Sequence, residues 1–592
     1  MSTNTSNASS SPQASVDPFL LSDEVVDAIA KLCPMTASLW GVRGTNVAWD
    51  DLSPEGQARL RETMAEFLAR VPPEGSETDP WRRLASQVLT DFLQLTIDRV
   101  DQNDHLTDLN FIASPFQFIR MVFDVMDATT EEGWRAQLAR LETIDRVFEG
   151  YRRLLARGVE TANVVAARQV RAVIEQGRYQ AGDKSFFRTL PGAMAAAGIG
   201  DAALRARLDH AVDLACSSHG AFVRWLEESY LPHARATDAV GRIRYVREAR
   251  RFLGMTIDPD ETYAWGWQEI EAIGTRMQSL ANEISPGATV AEVLTLLKTT
   301  PEHAAPSIDA FLALMRQRQH QALAQLTDTH FDVPVPARLL DVKLAPPGGP
   351  LGAYYIPPSE GFARIGCVWY SVGDATTAPL FDEVTTAYHE GFPGHHLQFG
   401  IQVALTDRLS RLQRVAEGYA GFAEGWALYA EALMAELGYF EKPEYLFGML
   451  TAQMTRACRV VIDIGAHLSL PIALGQTFHP GEAWSYDLGV EMLSTLGGLG
   501  LEQARSEMTR YLGWPGQAIA YKVGQRVILG LRDEVRAACG SAYDAKAFHS
   551  CILEGGNVSL ERLVQRVRAE LEDPHGRLRR GAVGLTPDRA AD

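Results

Sequence analysis

From Leu20 to about Tyr245, apolar residues recur every three or four positions with charged residues between them. Stretches such as WRRLASQVLTDFLQLTIDRV and EEGWRAQLARLETIDRVFEGYRRLLARG keep that spacing over several turns, which predicts amphipathic helices. Proline and glycine fall mainly between such stretches, as in RVPPEGSETDP and TLPGAMAAAGIGD. Helical spacing continues from Pro259 to Thr327. It then gives way to DVPVPARLLDVKLAPPGGPLGAYYIPPSEGFARIGCVWY, from Asp332 to Tyr370. Pro-Gly breaks there separate short β-branched and aromatic runs, which predicts a small sheet. The helical pattern returns from about Phe381 to about Glu572, and no fixed-period repeat is present. The expected fold is therefore mainly α, with one small β-sheet next to the helix that follows it. We expect a polar, disordered tail over residues 1–17, a helical N-terminal region over 18–250, a second unit over 251–575, and a loose tail over 576–592.

At 592 residues, with 46% apolar and 22% charged residues, the chain has ample material for large cores. Its formal net charge of −18 argues against a general nucleic-acid or anionic-membrane partner. No run approaches the roughly 18 to 20 continuous apolar residues of a membrane span. Cys33, Cys216, Cys367, Cys458, Cys539 and Cys551 lie far apart and form no C-x-x-C pair, so a cytoplasmic protein without disulfides is expected. Neither GGLGLE nor GVRGTN has the context of a phosphate loop, and no G-x-S-x-G elbow occurs.

The chemistry concentrates in TTAYHEGFPGHHLQ, from Thr385 to Gln398, which holds three of the fourteen histidines. Catalytic zinc takes three ligands from His and Asp/Glu, and in H-E-x-x-H two of them lie one turn apart on a helix face. Here His389-Glu390 is followed by Gly-Phe-Pro-Gly before His395 and His396. On an unbroken helix those imidazoles would stand roughly 9 or 10.5 Å up the axis, too far to share an ion with His389. Pro393 cannot donate to the His389 carbonyl, and Gly394 tolerates unusual backbone angles. The spacing thus predicts a break that loops out the extra residues and returns His395, or alternatively His396, to the metal. The third ligand is expected from Glu417 or Glu424, which with Glu431 recur every seven residues along one helix face.

HEGFPGHHLQ, FAEGWALYAE, RACRVVIDIGAH and PGQAIAYKVGQ resemble, in this order, the domain of unknown function 885 family, strongly over roughly residues 250 to 570 and more loosely over the helical N-terminal half. More distantly the segment is similar to the gluzincin peptidases, whose His-Glu…His helix is joined by a glutamate in an E-G-F-A-like string. That resemblance implies a mainly helical metallopeptidase-like fold and one zinc ion on His389, His395 and Glu424. It also implies Glu390 as general base and an edge strand beside the site that pairs with extended substrate. The helix motif departs from H-E-x-x-H.

Tyr521 and His467 are candidate donors to an oxyanion. His467 is equally readable as a core histidine held by Asp463. Arg456, Arg459 and Arg526 are candidates to grip a substrate carboxylate, with internal ion pairing as the simpler role. His396 is a candidate substrate contact, Tyr354 and Tyr355 candidate cleft walls, and Asp382 and Glu383 candidate supports for the ligand histidines or helix caps. The expected function is zinc-dependent hydrolysis of a peptide or peptide-like amide bond in a short substrate. Alternatives are a metal-dependent amidase or lyase acting on a small metabolite, and a non-catalytic scaffold.

Overall fold

In a computed structural model the described residues are 16–42, 47–345, 352–416 and 418–580. Most of the polar N-terminal tail, the end of the C-terminal tail and Glu417 lie outside them. Asp17 is already the cap of the first helix, accepting a hydrogen bond from the Phe19 amide at 2.9 Å.

The protein is mainly α, as the spacing predicts. Helix starts follow local rules. The helix Pro259–Ile284 begins at Asp258, whose carboxylate accepts from the amides of Asp260 at 2.8 Å and Glu261 at 3.1 Å, with proline at the first helical position.

Two large cores divide the chain. Met35 to Tyr230 contribute one, and Tyr245 to Leu578, joined by Leu84, form the other. A smaller cluster joins the first helix to Leu93, Ile97 and Leu412. The helix Arg242–Leu253 packs into the second core, where the Tyr245 hydroxyl donates to Asp463 at 2.7 Å. That helix therefore belongs with the second core.

At the centre of the second core runs the helix Pro443–Leu468. Ala457, Cys458, Val460, Val461, Ile462 and Ile464 are all fully buried. The stripe Arg456, Arg459, Asp463 and His467 along this helix is met by polar partners inside the core, at Glu431, Glu507, Tyr245 and the Tyr511 carbonyl.

The expected sheet is present. Leu340–Leu344 pairs in parallel with the central strand Gly366–Ser371, and Gly352–Ile356 pairs antiparallel on its other side. Gly352–Ile356 is thus an edge strand. It lies against the helix Glu383–Glu390, which carries the first histidine of the cluster.

Candidate metal centre

The helix that starts at Glu383 ends at Glu390, and a second begins at His395. Gly391 to Gly394 are looped out between them, with a cis peptide bond before Pro393. Gly394 is required there, because a β-carbon would lie 2.0 Å from the His389 carbonyl oxygen. Gln319, from a neighbouring helix, braces the break. Its amide nitrogen donates to the Ala387 carbonyl at 2.6 Å, and its oxygen accepts from the Phe392 amide at 2.6 Å. Trp426 donates its indole N–H to the Pro393 carbonyl at 2.9 Å.

The break returns His395 to His389, their rings 4.9 Å apart and nearly perpendicular. Glu424, on the helix Ala420–Glu436, completes the group. One of its oxygens, Oε2, lies 3.3 Å from His389 Nε2 and 3.6 Å from His395 Nε2. The three candidate ligand atoms are all within 4.8 Å of one another. Tetrahedral ligands at ~2.0–2.1 Å from a zinc ion are spaced about 3.3–3.4 Å apart, so the two carboxylate–imidazole distances fit such an ion. The buried Glu424 Oε2 has no hydrogen-bond partner, a gap that a cation would fill. Burial opposes ionisation of Glu424, but the two imidazoles outweigh it and hold the carboxyl well below its usual range.

Glu431 stands two turns further along the same helix. Its Oε1 lies 2.7 Å from His389 Nδ1, while Oε2 accepts from Thr385 Oγ1 at 2.9 Å. Burial would lower the His389 pKa, yet Glu424 and Glu431 together raise it to about 9. The seven-residue spacing therefore presents one carboxylate to each ring nitrogen of a single imidazole. Sequence reasoning saw the Glu417–Glu424–Glu431 periodicity but gave Glu431 no role. Its signal was a carboxylate flanked by Leu428, Tyr429 and Leu433 on an otherwise buried helix.

Glu390 makes no hydrogen bond among the described residues and is only partly buried. Burial raises its pKa, offset by the charges of His389 and His395. Tyr521 belongs to the helix Ala520–Cys539, which crosses the Glu424 helix backbone against backbone. A β-carbon on Gly425 would lie 2.5 Å from the Gly524 carbonyl carbon, so both crossing glycines are needed. The Tyr521 hydroxyl has no partner among the described residues, and its ring lies under Arg459, 4.7 Å from the guanidinium carbon. Burial and the nearby Glu424 charge raise its pKa.

Several candidates fall elsewhere. His396 is not available to substrate or metal. Its Nε2 lies 2.8 Å from the Ala337 carbonyl oxygen, its Nδ1 lies 2.9 Å from the Tyr355 hydroxyl, and burial lowers its pKa to about 4. His467 is a core histidine, about 16 Å along the helix axis from Arg456. Its Nε2 lies 3.0 Å from the Tyr511 carbonyl oxygen, and burial lowers its pKa to about 4. Arg459 is committed to Glu507 at 2.9 Å and Tyr511 at 2.8 Å, and Arg526 to Glu261 at 2.7 Å. Tyr355 turns inward onto His396. Tyr354, one residue away, therefore faces the opposite side of the strand and is 39% exposed. Asp382 and Glu383 form no hydrogen bond to His389 or His395; Glu431, from the facing helix, is the carboxylate at His389 Nδ1. Burial raises the pKa values of Asp382 and Glu383 to about 6 and about 8.

Residues 34–567 match the family described as "Bacterial protein of unknown function (DUF885)". The chain belongs to that family. Among solved structures it is similar to "The crystal structure of the putative lipoprotein from Colwellia psychrerythraea", at 22% identity and a TM-score of 0.82, covering 94% of this chain and 100% of that one. It is also similar to a "putative lipoprotein of unknown function from Shewanella oneidensis", at 16% identity and a TM-score of 0.72, covering 93% and 99%. At such identities the likeness establishes a shared fold alone. No curated protein matches the chain. Among the described residues no helix is long and apolar enough to cross a membrane.

Proposed function

We propose that this DUF885 protein is a zinc-dependent hydrolase that cleaves a peptide or peptide-like amide bond. One observation carries the reading. An orphaned, buried carboxylate oxygen lies between two imidazole nitrogens, with an unbonded glutamate next to one of them.

His389, His395 and Glu424 would hold the ion, which supplies a Lewis acid able to acidify water near neutral pH. Glu390 accepts the proton of the attacking water and returns it to the leaving amine. Its freedom from hydrogen bonds and its raised pKa suit both transfers. Tyr521 donates its hydroxyl to the developing oxyanion. Glu431 keeps the proton of His389 on Nδ1 and so leaves Nε2 free to coordinate. The edge strand Gly352–Ile356 offers unpaired backbone groups to an extended substrate. A cytoplasmic location is part of the proposal and rests on six unpaired cysteines.

The deciding experiment compares chelator-free wild type with His389→Ala and Glu390→Gln. About one zinc per chain in wild type and Glu390→Gln, none in His389→Ala, and peptide turnover in wild type alone is the expected result. Wild type without metal, or turnover surviving in Glu390→Gln, overturns the assignment.

A further inference from the structure

Next to the site stands a guanidinium that the proposed mechanism leaves unused. Arg456 lies on the helix Pro443–Leu468, with 17% of its side chain exposed. Its Nε is buried and has no hydrogen-bond partner. No other nitrogen of this side chain makes a hydrogen bond among the described residues. Its one charge contact is an NH2 nitrogen 3.5 Å from Glu431 Oε1, beyond good hydrogen-bonding distance. Glu431 is already occupied by His389 and Thr385. A guanidinium carries five donors in a planar fork, and leaving the buried Nε donor unmet is costly.

The contrast with Arg459, one turn along, is informative. Arg459 is saturated by Glu507 and Tyr511, and Arg510 ties down the same Glu507 at 2.8 Å. Arg456 helps keep the buried Glu431 ionised but has no hydrogen bond of its own among the described residues. It also points toward the chemistry. The Glu431 oxygen it approaches is the one that touches His389, and its charge acts on both His389 and Glu390. On its other side is Tyr521, whose ring centroid is 6.0 Å from the guanidinium carbon.

We propose that Arg456 receives the terminal carboxylate of the substrate, so that the protein acts at the carboxyl end of short peptides. The inference rests on the hydrolase reading and deepens it. A planar carboxylate matches the guanidinium fork in the bidentate way that a single oxyanion cannot, which leaves Tyr521 for the oxyanion. The register to test places one residue, about 3.5 Å of extended chain, between the scissile carbonyl and the carboxylate. A chain continuing past that point would meet the cation with an uncharged amide.

The test uses two hydroxamate probes built on one leucine residue, one ending in the free carboxylate and the other in the carboxamide. Binding to the zinc-loaded full chain is measured by calorimetry. The acid should bind at least about thirtyfold more tightly than the amide, the scale of a hydrogen-bonded charged group. Arg456→Gln should reduce that ratio to about threefold or less, and Arg456→Lys, which keeps the charge beside Glu431 but loses the fork, should leave it intermediate. Zinc content of each variant, measured alongside, separates loss of the carboxylate site from collapse of the metal centre. Equal affinity for both probes, or a ratio that survives in Arg456→Gln, overturns the proposal while leaving the hydrolase reading intact. N-acetyl-leucine and its amide repeat the comparison without a metal anchor. A preference for the acid that Arg456→Gln removes supports the carboxylate site even in a chain without zinc, and no preference there overturns it.

Discussion

Glu431 Oε1 stands 2.7 Å from Nδ1 of His389, and the carboxylate is completely buried. The same helix presents Glu424 to the opposite ring nitrogen at 3.3 Å. One imidazole is therefore clamped between two carboxylates seven residues apart, which fixes its orientation.

Glu431→Gln keeps the shape of the side chain and removes the charge. Zinc affinity should fall by about 10- to 100-fold, the usual effect of losing a carboxylate behind a ligand histidine. Competition against a chromophoric chelator measures it, and unchanged affinity would show that Glu431 serves packing alone.

The two adjacent histidines should separate cleanly. His395→Ala should lose stoichiometric zinc. His396→Ala should keep it and lower the melting temperature instead, because Tyr355 and the Ala337 carbonyl lose their partner at a cost of about 1–3 kcal/mol. Elemental analysis and thermal unfolding of both variants decide the matter. The reverse pattern would exchange their roles.

Gly425→Ala forces a methyl group toward the Gly524 backbone, at 2.5 Å before relaxation. Overpacking there should destabilise the protein by about 1–3 kcal/mol and weaken metal binding by shifting the Glu424 helix away from Tyr521. Gly530→Ala, on the facing helix but with open space around it, is the control and should be neutral or slightly stabilising. Equal effects at both positions would argue against a special role for the crossing.

His219 provides a pH signature far from the site. It is fully buried among Phe116, Phe148 and Phe187, and burial lowers its pKa from 6.5 to about 4, although the Ala215 carbonyl beside Nδ1 opposes the shift. The unfolded chain thus takes up its proton first as the pH falls. Stability linked to His219 is complete above pH 6.5 and is lost toward pH 4. The stability difference between wild type and His219→Leu should therefore move in favour of the variant by on the order of 3 kcal/mol between pH 7 and pH 4. Parallel pH curves for the two proteins would show that His219 is not kept neutral.

The extent to which the site was legible varies by residue. The break after Glu390 could be read from Pro393 and Gly394, since backbone chemistry is local. The choice of Glu424 over Glu417 came from the resemblance of EGWA to a family string, and Glu417 itself lies outside the described residues. Glu431 was seen only as part of a repeat, because its partner His389 is 42 positions away. His467 and His396 resembled functional groups, since a histidine satisfied by backbone carbonyls is indistinguishable in sequence from one that is free.

By itself the sequence determined what depends on near neighbours: the helical periodicity, the helix caps, the strands between Asp332 and Tyr370, and the interruption that makes two helices of one motif. Tertiary structure alone decided which imidazole turns toward Glu424, which carboxylate supports it, and which arginine beside it has no hydrogen bond among the described residues. Those outcomes depend on side chains brought together across long loops, where a displacement of one residue along a helix rotates a group by about 100° and points it away from the cluster.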